Sequence, residues 1–208
     1  MVVMARWTAR RAGENGYLVD VPDADPAQLA DGVRGLCQER GIGLVEVVPG
    51  MSTVLIVFQD PRAVQIETLL AEVDAAPASG EVGTLTIDVQ YDGPDLAEVA
   101  ALTGLAEQQV IDLHTQTEFR AAFSGFAPGF AYLTGVPQQL RVPRRPDPRP
   151  VVPAGSVALA DEFTAVYPKR LPGGWQLIGT TQQPLWIMRR NPPAVIRPGM
   201  TVRFRQVG

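Results

Sequence analysis

The sequence predicts an α+β chain in two parts, a mixed strand–helix part over residues 1–82 and a β-rich part over 83–208. Three observations carry this. Helical and two-residue apolar periods alternate through the first part. Short β-like runs separated by Pro/Gly turns recur at fairly even intervals from Phe119 onward. The charge also changes sign, from 6 basic against 13 acidic residues over 1–90 to 12 against 9 over 91–208.

In the first part, 16–21, 44–48 and 53–58 read as strands, the last rich in β-branched residues. Residues 26–40 place Leu29, Val33, Leu36 and Cys37 at helical spacing, with Asp25 and Pro26 as N-cap and first helical position and Gly41 as the stop. Cys37 falls on the apolar stripe and reads as a buried small hydrophobe. Residues 64–73 form a second helical pattern, and 77–80 a linker by composition. Strand, helix, strand, strand, helix makes up most of a ferredoxin-like split βαβ unit.

In the second part, 84–90 alternates like a strand and Tyr91-Asp92-Gly93-Pro94 reads as a turn. Two short helices are expected over 95–102 and 106–114, broken at Gly104. Beyond Phe119 the β-like runs are 157–159, 165–167, 176–178, 185–188 and 201–205, a pattern expected of a compact barrel or sandwich.

Composition narrows the function. With 46% hydrophobic and 19% charged residues the chain is expected to be globular. Its longest aliphatic and aromatic run, Val54 to Phe58, is far short of the roughly 20 residues of a membrane span. Arg6, Arg10 and Arg11 leave no room for a signal-peptide core, so a cytoplasmic address and no membrane partner are expected. One cysteine and one histidine exclude an internal disulfide and an internal Cys/His zinc site, so no protein-bound metal is expected. The only lysine, Lys169, lies in Tyr-Pro-Lys-Arg, so a P-loop is excluded; Ser-x-x-Lys, His-Glu-x-x-His and Gly-x-Ser-x-Gly are also absent. Residues 119–208 carry 12 basic groups against Asp147, Asp161 and Glu162, which suits an anionic ligand, an acidic partner surface or a solvated arginine face. No stacking aromatic series or recognition motif interleaves those residues, so nucleic acid is not expected.

Four turns in this basic part combine proline, which fixes φ and removes a donor, with glycine, which reaches positive φ. They are 124–130, 152–156, 171–175 and 197–200. Each reads either as hairpin punctuation or as a rigid loop whose free N–H groups face an anion or carbonyl.

The ordered motifs are Tyr91-Asp92-Gly93-Pro94-Asp95-Leu96, His114-Thr115, Gly125-Phe126-Ala127-Pro128-Gly129-Phe130-Ala131-Tyr132-Leu133, Pro143-Arg144-Arg145 with Pro148-Arg149, Val152-Pro153-Ala154-Gly155-Ser156-Val157, and Pro172-Gly173-Gly174-Trp175-Gln176-Leu177-Ile178-Gly179. Together they resemble the family variously called allophanate hydrolase subunit 1, KipI-type kinase inhibitor and the B-type subunit of ATP-dependent 5-oxoprolinase. The resemblance runs from about Gly16 to Phe204, with Val47-Val48-Pro49-Gly50 fitting it in the first part. It implies a ferredoxin-like N-terminal domain over 1–82 and a cyclophilin-like β-barrel over 83–208. It further implies a homologous second barrel subunit, of the kind called allophanate hydrolase subunit 2 or the C-type subunit of 5-oxoprolinase, with the active cleft between the two. A third, lactam-utilisation subunit belongs to the hydrolase arrangement, and ATP with Mg2+ is its co-substrate.

On that resemblance the expected function is ATP-coupled opening of a lactam, 5-oxoproline to glutamate, by a complex in which this chain is inactive alone. The alternatives are inhibition of a sensor histidine kinase and a carboxyltransferase-like role in a urea carboxylase or allophanate system. Arg144 and Arg149 suit neutralisation of phosphoryl oxygens, against a plain surface Arg-Pro loop. His114 suits general acid/base or orienting work, against helix C-capping. Gly125, Phe126, Pro128, Gly129, Phe130, Tyr132, Pro153, Ala154, Gly155, Ser156, Pro172, Gly173, Gly174 and Trp175 are the expected substrate- or nucleotide-binding residues, although Tyr132 and Trp175 equally suit barrel core. The chain departs from the family pattern at Asp161, Phe163 and Ala165, which stand for Gly, Gln and Gly, at Leu171 for serine, and at Thr180 for arginine. The expectation is a binding rim that has lost an amide and a guanidinium.

Overall fold

A computed structural model describes residues 7–22, 24–73 and 83–208. The chain divides into two compact units, Met1–Glu81 and Val82–Gly208. The expected linker at 77–80 lies outside the described residues.

In the first unit, β1 (Thr8–Ala12) and β2 (Gly16–Asp20) form a hairpin. Helix α1 (Pro26–Arg40) follows, with the Asp25 carboxylate accepting from Ala27 N at 2.8 Å and Gly41 in the left-handed region at φ 66°. Then come β3 (Leu44–Pro49), β4 (Thr53–Phe58) and α2 (Ile66–Glu72). The sheet is antiparallel throughout in the order β1-β2-β4-β3, so β4 separates β2 from β3. Val54, Ile56 and Phe58 alternate inward from β4 and meet Leu29, Val33 and Cys37 of α1 in one core. Cys37 is buried, and that burial raises its thiol pKa. Sequence patterning missed β1, whose Thr-Ala-Arg-Arg-Ala has no buried alternation.

The second unit contains β5 (Thr84–Val89), α3 (Leu96–Thr103), α4 (Glu107–Gln116), β6 (Phe119–Ser124), β7 (Ala131–Thr134), β8 (Arg149–Val152), β9 (Ser156–Ala160), β10 (Phe163–Val166), β11 (Leu171–Gly173), β12 (Gln176–Thr180) and β13 (Thr201–Gln206). Seven strands make one sheet in the order β12-β9-β10-β7-β6-β13-β5. β13 and β5 run parallel and the other pairs antiparallel. Its two edge strands meet through the Gln90–Thr180 bridge, whose N–H groups donate at 2.9 and 2.8 Å, so the sheet nearly closes into a barrel.

β9 and β10 are buried along their whole length because both faces are covered. Val157, Leu159 and Val166 enter the main core with Ile87, Val99, Val110 and Phe204. Ala158, Ala160, Phe163 and Ala165 face a second, aromatic cluster with Phe130, Tyr167 and Trp175. The β8–β11 pair forms a separate small sheet, and Val152 and Leu171 from it pack into that cluster. The run 185–188, expected as a strand, makes a single bridge through Trp186 and Ala194 and joins no described sheet.

Candidate functional site

A cavity of about 250 Å³ opens on the aromatic face, lined by Phe126, Phe130, Tyr132, Arg144, Pro148, Tyr167, Pro172, Gly173, Gly174 and Trp175. Phe130 is the hub of the lining rings, edge-on to Phe126, Tyr132, Tyr167 and Trp175 with centroids 5.1–5.7 Å apart. Edge-to-face packing of this kind holds each ring by its neighbours. Gly173 lets Tyr167 in: a Cβ there would lie 2.2 Å from the phenol oxygen. Burial pushes the Tyr167 pKa up to about 12, so its hydroxyl remains a proton donor.

Arg144 supplies the cavity's cation. Its side chain is 59% exposed, its guanidinium lies 5.9 Å from the Trp175 ring centroid, and its Nε stands 3.6 Å from Asp161 Oδ2. Asp161 holds φ 53°, a left-handed conformation that glycine takes freely and aspartate tolerates. The other lining residues offer phenols, rings and backbone, with no carboxylate, imidazole, thiol or amine.

Arg149 does not share this role. Its Nη2 donates to Asp95 Oδ1 at 2.6 Å, and Arg145 Nη1 donates to the same oxygen at 3.1 Å and to Glu98 Oε2 at 3.0 Å. Asp95 Oδ2 accepts from Leu177 N at 2.7 Å. Asp95 therefore ties the 143–149 segment to the start of α3 and to β12, and Arg145 N, donating to Gly174 O at 2.7 Å, completes the anchor. Asp95 was legible in the sequence only as the start of a short helix and as part of the 91–96 motif, because its partners lie 50 and more residues away.

His114 is a core side chain with no exposed surface. It stacks on Phe204 at 4.4 Å and leans on Phe119 at 5.0 Å. Tyr91 Oη lies 2.7 Å from Nδ1 and Thr164 Oγ1 lies 3.0 Å from Nε2. Thr164 Oγ1 gives its one proton to Ala158 O at 3.0 Å, so it accepts from Nε2–H, and Nδ1 in turn accepts from Tyr91. Burial lowers the His114 pKa to about 3 and raises that of Tyr91, so both stay neutral. Thr164 shares the His114 side of β10, whereas Phe163 and Ala165 face the aromatic cluster. The expected general acid/base therefore lies on the opposite face of the sheet from the cavity, and helix capping is not its role either.

Phe126, Phe130, Tyr132, Arg144, Pro172, Gly173, Gly174 and Trp175 thus converge as expected residues of one cavity, while Pro148 and Tyr167 were not anticipated. Gly125, Pro128 and Gly129 shape the loop behind it: Gly125 N donates to Phe130 O at 3.2 Å. Pro153, Ala154, Gly155 and Ser156 also lie outside the lining. Their turn holds the Tyr167 backbone, with Gly155 N donating to Tyr167 O at 2.7 Å and Tyr167 N to Ser156 O at 2.9 Å.

The family departures do not share one rim. Phe163 packs edge-on to Phe123 and Tyr132 in the aromatic cluster. Thr180 sits at the barrel seam, donates to Asp92 Oδ1 at 2.9 Å, and lines a different cavity with Gln90 and Thr181. A larger cavity of about 560 Å³ in the first unit gathers Arg11 and Arg62 with Glu14 and Asp60, and none of the expected residues. Among the described residues no cluster of His, Cys, Asp and Glu could hold a metal, and no helix is long and apolar enough to cross a membrane.

Residues 7–196 match the family described as carboxyltransferase domain, subdomain C and D. The chain belongs to this family. The B-type subunit of 5-oxoprolinase from Escherichia coli O157:H7 is 44% identical over 168 residues, covering 77% of each chain. The Haemophilus influenzae protein of the same name is 39% identical over 186 residues, covering 85% of each. Among solved structures, TTHA0988 matches with a TM-score of 0.78 at 32% identity, over 97% of this chain and 40% of that one. The Kluyveromyces lactis urea amidolyase matches with a TM-score of 0.73 over 97% of this chain and 15% of that one; at 16% identity this likeness concerns the carboxyltransferase-domain fold alone.

Proposed function

We propose that this chain is the B-type subunit of an ATP-dependent 5-oxoprolinase, a cytoplasmic complex that opens the lactam 5-oxoproline to glutamate. In this reading it works with a homologous second barrel subunit of the C type and a third, lactam-utilisation subunit, and is inactive alone. The names of its relatives support the reaction. The observation that carries the reading is the composition of the aromatic cavity. It offers one exposed guanidinium, phenol donors and ring walls, and no group able to take a proton near neutral pH.

Such a cavity binds and orients. At about 250 Å³ it is smaller than the roughly 300–1,000 Å³ of drug-sized ligand pockets, which suits a small ring and not a whole nucleotide. Arg144 would meet the ligand carboxylate by charge-assisted hydrogen bonds. The rings of Phe130 and Trp175 would cover the lactam faces and exclude water. The Tyr132 or Tyr167 hydroxyl would donate to the amide oxygen, where negative charge gathers as the ring is activated. ATP with Mg2+ supplies the driving chemistry and is assigned to surfaces completed by the other subunits.

The test is reconstitution with the C-type and lactam-utilisation subunits from the same genome. 5-Oxoproline-dependent ATP cleavage and glutamate release should require this chain. Equal turnover without it, or none in the full set, would overturn the proposal and favour the kinase-inhibitor reading.

A further inference from the structure

Phe126 sits in a strained backbone conformation at the cavity mouth. Its φ is 64°, and Ala127 N donates to Gly125 O at 2.6 Å, which makes Phe126 the centre of a three-residue γ-turn. Among the described residues only Phe126 and Asp161 take positive φ without being glycine, and a bulky ring tolerates it less well than a short carboxylate. The surrounding loop gives the turn no easy release. Gly125 N donates to Phe130 O at 3.2 Å and Phe130 N to Ala127 O at 2.9 Å. Gly129, at φ 85°, is clamped from behind, where an added Cβ would lie 3.1 Å from both Leu185 O and Trp186 Cβ and 3.2 Å from Pro168 Cβ. Strain persists where the surrounding structure over-determines it, and such residues cluster at ligand clamps.

The strained residue is also the one lining ring left open to solvent. Phe126 is 56% exposed and touches the cluster edge-on at Phe130, 5.4 Å between centroids. Phe130, Tyr167 and Trp175 are buried in the aromatic cluster, and Tyr132 is half-buried against it. Those packed rings form a floor that does not deform to suit a ligand. The height of the cavity is then set by Phe126. Glycine would make the same turn without strain, so what the strain secures is the ring. Its free face gains apolar contact only when a second ring lies against it.

We propose that Phe126 is a fixed cover that sets the ring size the cavity accepts, closing on a five-membered lactam acid and turning away its six-membered homologue. The inference rests on the 5-oxoprolinase reading above. Because the loop is clamped on both sides, an extra methylene meets a wall that does not retreat, and discrimination of about tenfold or more follows.

The test compares 5-oxoproline with 6-oxopiperidine-2-carboxylate in the complex reconstituted with the C-type and lactam-utilisation subunits of the same genome. The wild-type chain is set beside Phe126→Gly and Phe126→Asn, which remove the ring and accept positive φ, and beside Met51→Ala, an exposed apolar control in the first unit. Wild type and Met51→Ala should favour the five-membered ring at least about tenfold in kcat/KM. Both Phe126 variants should bring that preference to within about threefold, mainly through a higher KM for 5-oxoproline, with a urea midpoint no lower than wild type. No preference in the wild type, or an unchanged one in both variants, would overturn the cover and leave the subunit reading standing. A lowered midpoint would make the ring a packing residue and overturn the cover as well. Equal losses on both lactams with weaker binding of the C-type subunit would assign the ring to an interface, with the same result. A complete wild-type set that turns over neither lactam would overturn the subunit reading itself.

Discussion

Arg149 reaches Asp95 across 54 residues of sequence and donates to its carboxylate at 2.6 Å, where that carboxylate is only 3% exposed. The arginine that suits phosphate binding by its place in an Arg-Pro loop is thereby an anchor of the cavity wall. Arg144, five residues earlier, keeps its guanidinium at the cavity.

The Arg149–Asp95 pair makes a stability prediction. Arg149→Ala should destabilise the barrel by about 2–4 kcal/mol, because it strips one partner from a buried carboxylate while Arg145 remains. Asp95→Ala should cost more, leaving the Arg149 guanidinium and the Leu177 amide unanswered and Arg145 with Glu98 alone. Urea midpoints read both. Wild-type midpoints would mean that the network is dispensable.

Arg144 makes the opposite one. Arg144→Ala should leave the urea midpoint unchanged and lower kcat/KM for 5-oxoproline in the reconstituted complex at least about tenfold, or ~1.4 kcal/mol. Asp161→Asn should tighten KM by up to about fivefold, since it removes an exposed competitor worth about 0–1 kcal/mol while keeping a side chain that accepts positive φ. Steady-state kinetics at low ionic strength separate the two effects.

His114 governs acid stability. Its folded pKa of about 3 lies below the unfolded value of 6.5, so between those limits the unfolded state binds the extra proton. Stability should therefore be full above about pH 7 and fall as the pH drops from about 6.5 toward 3, by at most about 1.4 kcal/mol per pH unit. His114→Gln should be less stable at neutral pH and show a flatter acid limb in urea titrations from pH 7 to 4. An identical limb in both proteins would assign the acid sensitivity to other groups.

Gly173→Ala tests the wall. Its Cβ would meet the Tyr167 hydroxyl at 2.2 Å and ring carbons at 2.9 and 3.0 Å, so the phenol must move into the cavity or out of it. Ligand affinity should fall at least about tenfold, and the fluorescence of Trp175 in the same wall should shift. Unchanged affinity and emission would place the ligand elsewhere.

Local signals were enough for the sequence alone to determine certain elements. Asp25, Pro26 and Gly41 delimit α1 because caps act within a few residues, and Leu29, Val33 and Cys37 mark its buried face because the helical period is local. The Pro/Gly loops and their aromatics, with Arg144, pointed to eight of the ten cavity residues, since those turns carry their own backbone chemistry. Only the tertiary structure decided what depends on partners distant in the chain. The short strands β8 and β11 exist because Arg149–Val152 and Leu171–Gly173 pair with each other, and neither segment has a period of its own. The parity of β10 set His114 against Thr164 on one face and the aromatic cavity on the other. Arg144 and Arg149 look alike in sequence, and they differ because Asp95 arrives beside only one of them. A charged side chain's role follows from the desolvation and counter-charge that the fold brings to it, and no local spacing encodes those.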